Sequence, residues 1–128
     1  MAAFGEKAFL LIRLANRVVG LAGWQVENLV ARTDDVYLED GLSLEATMKP
    51  LLEEVERASR DLQCEASLVF LPTKLARHQL VWQNLGYEPR SIRNLGVRAW
   101  QEAALESMSG GEVLYFKQLR QDRVLRPV

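Results

Sequence analysis

Residues 44–71 read LEATMKPLLEEVERASRDLQCEASLVFL, and this stretch decides the fold. In its first part, apolar or small residues recur at steps of three and four: Leu44, Met48, Leu51, Leu52, Val55, Ser59 and Leu62. This spacing predicts an amphipathic helix. In its last part, the apolar run from Ala66 to Leu71 predicts a strand that is buried on both faces. Such a strand belongs at the centre of a sheet.

Pro50 bears on where this helix begins. Proline has no backbone N–H and is comfortable only in the first turn of a helix. We therefore expect the regular helix to begin near Thr47, a potential N-cap, rather than at Ser43.

Three strands are predicted on the N-terminal side of this stretch. The runs Ala8–Leu14 and Val18–Val26 are apolar and rich in β-formers, and residues 15–17 between them are typical of a turn. These features predict a hairpin. A third strand is expected over Leu29–Leu38, interrupted by the polar residues 32–35.

Helical spacing returns on the C-terminal side, over Leu75–Leu85, and Gly86 is well placed to end that helix. Three further elements are predicted after it: a helix over Arg98–Met108, a strand over Glu112–Leu119 and an exposed tail over Arg120–Val128. No linker or repeat divides the chain, so residues 1–128 are expected to form one domain with an ordered core from 8 to 119.

Composition narrows the classes of function. The chain has 128 residues, 48% of them hydrophobic, and a formal net charge of −1, which argues against binding nucleic acid or an anionic membrane through bulk electrostatics. Cys64 is the only cysteine, so no intrachain disulfide can form. No signal peptide and no apolar run of membrane-spanning length is visible, and we expect a cytoplasmic protein.

The sequence contains no self-sufficient catalytic constellation. His78 is the only histidine and has no ligand cluster near it, so we expect a solvent-facing side chain and no metal site. Cys64 is expected to be a buried thiol rather than a nucleophile. Five acidic residues cluster around the third predicted strand and the loop after it: Asp34, Asp35, Glu39, Asp40 and Glu45. Either they form a solvated rim, or one of them acts as a general base for an amine.

The order of elements resembles the central and C-terminal part of the GNAT acetyltransferase fold, an α+β fold with helices packed on a central, mostly antiparallel sheet. The resemblance covers Phe9 to Leu119 and is carried by three motifs: Arg17-Val18-Val19-Gly20, Asp35-Val36-Tyr37-Leu38 and Trp82-Gln83-Asn84-Leu85-Gly86-Tyr87. It implies that the first strand and first two helices of the family have no counterpart before Phe9. An exposed sheet edge is then expected to be covered in a homodimer or by a protein partner.

The resemblance also implies a site for acetyl-CoA between two splayed strands. If the site is active, its groove includes Val36, Leu38, Ser43, Leu44, Ala46 and Thr47. The phosphate-binding loop departs from the family pattern, because Ser43 replaces its arginine and Leu44, Ala46 and Met48 occupy its small positions. Glu45 adds a negative charge where the family binds pyrophosphate, so the sequence predicts no cofactor.

The second helix departs from the family as well. Trp82 stands where family members often carry a tyrosine that protonates the departing thiolate, and tryptophan has no proton to give at neutral pH. No catalytic residue is therefore assigned. Trp24, Trp82 and Trp100 are core candidates, and Trp100 is also the favoured anchor of an interface.

We therefore expect a non-catalytic structural or binding module of the GNAT type, acting as a homodimer or within a complex. The alternative is an acyl-CoA-dependent N-acetyltransferase that acts on an amine, with acetyl-CoA or CoA as cofactor and a carboxylate such as Glu39 as base. A third reading fills the splayed-strand groove with another small ligand or with a peptide strand.

Overall fold

The computed structural model describes residues 7–121. The strands are β1 (Ala8–Leu14), β2 (Arg17–Glu27), β3 (Val30–Leu38), β4 (Ala66–Pro72), β5 (Glu88–Pro89) and β6 (Glu112–Gln118). The α-helices are α1 (Leu44–Asp61), α2 (Thr73–Ala76), α3 (Gln79–Asn84) and α4 (Arg98–Ser107), with a 3₁₀ turn over Ile92–Leu95. None of the helices in this part of the chain is long and apolar enough to cross a bilayer.

The six strands form one sheet in the order β1-β2-β3-β4-β6-β5. Every neighbouring pair is antiparallel except β3 and β4, which run parallel and are joined by the α1 crossover. Residues 66–71 of β4 are all buried, as their continuous apolar run predicts. The predicted mixed sheet with a central β4 is confirmed.

The sheet separates two apolar clusters. On the face covered by α1 and α3, which we call the first face, Met48 and Leu52 pack against Val36, Leu71 and Trp82. On the opposite face, which we call the second face, a second set packs around α4: Val30, Leu68, Phe70, Leu95, Ala99, Trp100, Ala104, Leu114 and Phe116. Side chains of β4 alternate between the two clusters, so this strand holds both together.

The expected late start of α1 is wrong. The helix begins at Leu44, with Ser43 as its N-cap residue, and Pro50 lies inside it. Met48 and Leu51 on the first turns are buried, and this packing outweighs the hydrogen bond that Pro50 cannot make.

The helix predicted over Leu75–Leu85 is divided in two. The chain leaves helical geometry at His78, whose ψ is 63°, between α2 and α3. Trp82 Nε1 donates a hydrogen bond of 2.9 Å to the Leu75 carbonyl, which ties the two short helices together across the break. Apolar periodicity does not reveal this break, because Leu75, Trp82 and Leu85 still pack in the first-face cluster, whereas Leu80 is exposed.

The ends of the last helix and the last strand agree with the predicted ends to within one residue. The amides of Leu119 and Arg120 both donate to the Glu65 carbonyl, so the chain is held to the start of β4 beyond the last strand. The rest of the predicted tail, from residue 122, lies outside the described residues, as do residues 1–6 of the predicted domain.

Candidate functional site

The two parallel strands at the centre of the sheet part from each other. β3 and β4 pair only from Val30 to Thr33 and from Ala66 to Val69. β3 then continues to Leu38 and β4 to Pro72, with no ladder between these ends. Asp35 has a φ of 51°, and the register between β2 and β3 shifts at this point. This bulge bends the end of β3 away from β4 and opens a wedge in the sheet.

A cleft of about 300 Å³ lies at the open end of the wedge. Its inner part is apolar and is formed by Val36, Leu38, Leu75 and Pro72. Its mouth carries charged groups on both sides: Glu39, Asp40, Lys74, Arg77 and His78. An apolar interior with a polar mouth suits a ligand that has an extended apolar arm and a charged end.

The charges at the mouth have opposite signs on opposite walls. The loop after β3 carries Glu39 and Asp40, whereas α2 and the residues after it carry Lys74, Arg77 and His78. Lys74 forms an ion pair with Asp40 across the mouth, and both side chains are exposed. Such an exposed pair is weak and opens readily to a competing anion.

The first turn of α1 borders this cleft. Leu42 and Leu44 line it, and Ser43 forms no side-chain cap with the backbone N–H groups of the first turn. Glu45 accepts a hydrogen bond of 3.2 Å from Asn84 Nδ2, so its carboxylate is tied to α3 and is not among the cleft-lining groups. The expectation that Pro50 moves the helix start away from this loop is therefore wrong.

Each of the five acidic residues in the predicted cluster has a polar partner. Lys7 Nζ lies 3.0 Å from Asp34 Oδ1 and 2.7 Å from Asp35 Oδ2. The hydrogen bond to Asp35 and, after it, the contact with Asp34 raise the pKa of Lys7. The other partners are Arg17 for Glu39, Lys74 for Asp40 and Asn84 for Glu45. Four of these carboxylates lie against a cation and Glu45 lies against an amide, which favours the interpretation of an ion-paired rim over that of a general base.

Two buried tyrosines lie near the cleft: Tyr115, and Tyr87 from the last of the three sequence motifs. Tyr115 donates a hydrogen bond of 2.6 Å to the Ala76 carbonyl at the end of α2, and burial raises its pKa. Burial, reinforced by the negative charge of Glu56, raises the pKa of Tyr87 well above its usual value. Both hydroxyls are engaged inside the protein, and neither residue lines the cleft.

The remaining predicted residues are placed as follows. His78 is exposed at the break between α2 and α3, and it lines the cleft mouth. Cys64 is fully buried, and burial raises the pKa of its thiol to about 11, which makes it unreactive. Residues 7–121 contain no group of three His, Cys, Asp or Glu side chains that could bind a metal ion.

Trp100 is part of the core and is not an exposed anchor. Its side chain is 4% exposed, its ring packs against Phe116 and its Nε1 donates 3.1 Å to Glu65 Oε1. The prediction that Trp100 anchors an interface is therefore corrected. Helix α4, which carries Trp100, packs on the second face, so the indole lies between the helix and the sheet of its own chain.

A second, larger cavity lies at the edge of the sheet, between β1 and α1. This edge groove measures about 470 Å³ and its lining is mainly apolar. β1 contributes residues 10–14, β2 contributes Val19, and α1 contributes its flank from Ala46 to Glu54. Two large apolar side chains that line it, Leu11 and Leu14, are exposed, as is Phe9 on the same strand. The groove and this exposed set escaped sequence reasoning, except as the general expectation of an uncovered hairpin edge.

Comparisons with known proteins bear on the fold. No family model and no curated protein matches the sequence. Among solved structures, a GNAT-family acetyltransferase from Staphylococcus aureus is similar with a TM-score of 0.67 and 16% identity, over 91% of this chain and 70% of that one. The PaiA N-acetyltransferase of Thermoplasma acidophilum, solved with coenzyme A, has a TM-score of 0.61 and 12% identity, over 88% of this chain and 61% of that one.

A third structure, a putative acyl-CoA N-acyltransferase from Klebsiella pneumoniae, has a TM-score of 0.61 and 18% identity, over 88% of this chain and 72% of that one. At these identities the likeness concerns the fold alone. The chain has the GNAT fold, as the three sequence motifs indicate.

Proposed function

We propose that this domain is an acyl-CoA-dependent N-acyltransferase whose thioester substrate lies in the cleft between β3 and β4. The observation that carries the proposal is the parting of these strands after Thr33 and Val69. The cleft that results is apolar inside and cationic along one wall of its mouth. The similar folds of proteins described as acetyltransferases support the same function, although a fold by itself does not establish one.

The residues of the cleft fit a CoA thioester. The end of β3, from Val36 to Leu38, still pairs with β2 but has no strand partner on the side of β4, and on that side it offers backbone groups to an amide-containing arm. Lys74 and Arg77 lie where phosphates would meet positive charge, and His78 offers a hydrogen-bonding imidazole beside them. The two cations would supply the positive charge of the family's arginine, which Ser43 does not carry.

The bound thioester would supply an activated acyl group. The chain itself would contribute position: a strand edge to align the extended arm, and apolar side chains to exclude water. Because the acidic residues near β3 are held by partners, we assign no general base to the chain. The amine is then expected to react in its unprotonated form, and the rate should rise with pH towards the pKa of the amine.

Calorimetric titration with acetyl-CoA and free CoA tests the binding step. We expect saturable binding, and we expect Arg77→Glu to weaken it by about tenfold or more, since the variant reverses a charge at the mouth. Arg93→Glu is the matched control, because Arg93 is exposed on the 3₁₀ turn and does not line the cleft. Absence of binding up to about 1 mM ligand, or equal loss in both variants, contradicts the proposal.

Thiol release tests the transfer step. The protein is incubated with acetyl-CoA and a panel of primary amines, and free CoA thiol is followed with a thiol reagent. Cys64 adds little background because it is buried and its pKa is raised to about 11. Amine-dependent release that increases with pH supports a transferase.

A non-catalytic binding module is the second candidate, and one observation favours it. Trp82 lies at the position where the resemblance places a proton-donating tyrosine. It is fully buried, and its indole N–H donates to the Leu75 carbonyl. Saturable CoA binding without amine-dependent thiol release would select this candidate over the enzyme. A cytoplasmic location is part of both proposals and agrees with the single buried thiol.

A further inference from the structure

Strand β1 is an edge that lacks the usual protection against pairing. Within residues 7–121 it has a strand neighbour, β2, on one side only. Its sequence, AFLLIRL, has one charged residue, Arg13, and no lysine or proline. Natural edge strands are normally blunted by charge, proline or a bulge, and an unblunted one is a site for pairing with another strand. The register shift beside β1 leaves β1 itself regular, because the additional residue, Val19, lies in β2.

We infer that β1 pairs antiparallel with β1 of a second copy of this chain, so that two six-stranded sheets join into one. A two-fold axis perpendicular to the sheet relates the copies, and the first face of one sheet continues into the first face of the other. This inference is independent of the proposed acyl transfer, since β1 does not line the cleft between β3 and β4.

The sequence of β1 makes one register the best. Only the arrangement centred on Leu11 pairs all seven residues of the strand with the second copy. Leu11 then faces its own symmetry mate, Leu10 faces Ile12, and Phe9 faces Arg13. No ion pair of the described residues involves Arg13, and the aromatic ring opposite gives its guanidinium a favourable partner. A register centred on Arg13 would place two like charges opposite each other.

The edge groove supports the same occupant. It is bounded by β1, Val19 and the flank of α1, so a strand added beyond β1 lies along its open side. On the first face, Leu10, Ile12 and Leu14 of the second copy would extend the apolar floor between the two α1 helices. On the second face, Phe9 and Leu11 are 60% and 55% exposed, and each gains an apolar or cationic neighbour across the new pair.

The size of the contact sets the expected strength. About fifteen residues of each chain form β1 or line the groove, compared with roughly 20–30 on each side of a standard interface. We therefore expect a dimer that dissociates in the micromolar range. Light scattering or sedimentation across about 1–100 µM should show a shift from monomer to dimer.

Disulfide trapping tests the register. In an antiparallel pair, facing Cα atoms are about 4.5–5.5 Å apart, which a disulfide can bridge. Leu11→Cys should therefore form a covalent dimer under mild oxidation. Phe9→Cys is the matched control, because the two copies of residue 9 would be separated by four residues along the strand, about 14 Å, which is too far. Cys64 does not compete, since it is buried.

Leu11→Lys provides the complementary test. Leu11 is half-exposed, so the variant should fold with an unchanged circular dichroism spectrum and stay monomeric at about 100 µM, with acetyl-CoA binding unaltered. A wild-type protein that is monomeric at this concentration overturns the inference. So does a dimer that is trapped at residue 9 but not at residue 11, or one that Leu11→Lys leaves intact.

Discussion

At the scale of single residues, a buried polar network joins α1, β4 and β6 to the loop before β5. Glu56 on α1 accepts hydrogen bonds from the Tyr87 hydroxyl at 3.0 Å and from Lys117 Nζ at 2.8 Å. Ser67 on β4 bonds the same tyrosine hydroxyl at 2.8 Å. The Glu56 side chain is 7% exposed, so its charge is stabilised mainly by these partners. Deleting one member of such a network leaves another group buried and unsatisfied.

Glu56→Gln should therefore destabilise the protein by about 1–3 kcal/mol, because Lys117 loses its ion pair in a partly buried site. Glu54→Gln is the matched control on the same helix, since Glu54 pairs with Arg57 in full solvent and should leave stability unchanged. Urea denaturation at neutral pH measures both. Equal midpoints for the two variants would show that the network contributes nothing.

Sequence patterns predicted residue environments well where burial alone decides them. Cys64, Trp82 and Tyr87 are buried as expected, and His78 faces solvent as expected. Trp100 shows the limit of this reasoning, because helical spacing cannot say whether a face is covered by the same chain or by a partner. The partners of the acidic residues could not be predicted from the sequence either, since Lys7 and Asp34 meet only when β1 and β3 lie in one sheet.

At the scale of the element, helix α1 contains a proline, Pro50, that disfavours helical structure. Pro50 is exposed on the seventh residue of the helix, where it lacks the N–H that would bond to Ala46. The helix nevertheless continues from Leu44 to Asp61, because its apolar residues are buried along the first face. Tertiary packing therefore overrides a local helix breaker, and sequence-based boundaries at such a residue are unreliable.

Pro50→Ala should stabilise the protein by about 2 kcal/mol, because alanine restores a helical hydrogen bond. The net effect is smaller than the full cost of a helical proline, since alanine also raises the conformational entropy of the unfolded chain. Pro89→Ala in the short strand β5 is the control and should have a small or slightly negative effect. Thermal and urea unfolding measure both changes. A loss of stability in Pro50→Ala would mean that the ring's contacts in the edge groove outweigh the hydrogen bond.

At the scale of the whole molecule, both apolar clusters are built on the same sheet and share strand β4. Leu71 of β4 packs in the first-face cluster, whereas Leu68 and Phe70 of the same strand pack in the second-face cluster. Neither cluster can lose its packing without disturbing a strand that the other needs. Unfolding of the described domain should therefore be a single cooperative transition.

Trp82→Phe and Trp100→Phe test this cooperativity, since each removes one indole from one cluster. Both variants should lower the free energy of the same unfolding transition by about 1–3 kcal/mol, because each also removes a buried N–H donor. Tryptophan fluorescence and far-ultraviolet circular dichroism should give coincident urea curves for both. Two separated transitions in either variant would show that the faces unfold independently.

The sequence by itself determined the order and type of the main elements, the central position of β4 and the GNAT fold. The elements followed from apolar periodicity, which is local and is set by which face of an element is buried, whereas the fold followed from the family resemblance that the three motifs carry. The resemblance implied that two strands splay, but only the tertiary structure decided that β3 parts from β4 after Thr33, that the predicted helix breaks between α2 and α3, and that a groove lies beside β1. These features arise where strands end or where elements distant in sequence meet, and they depend on the packing of both sides together. The candidate site and the candidate interface lie at two of these places.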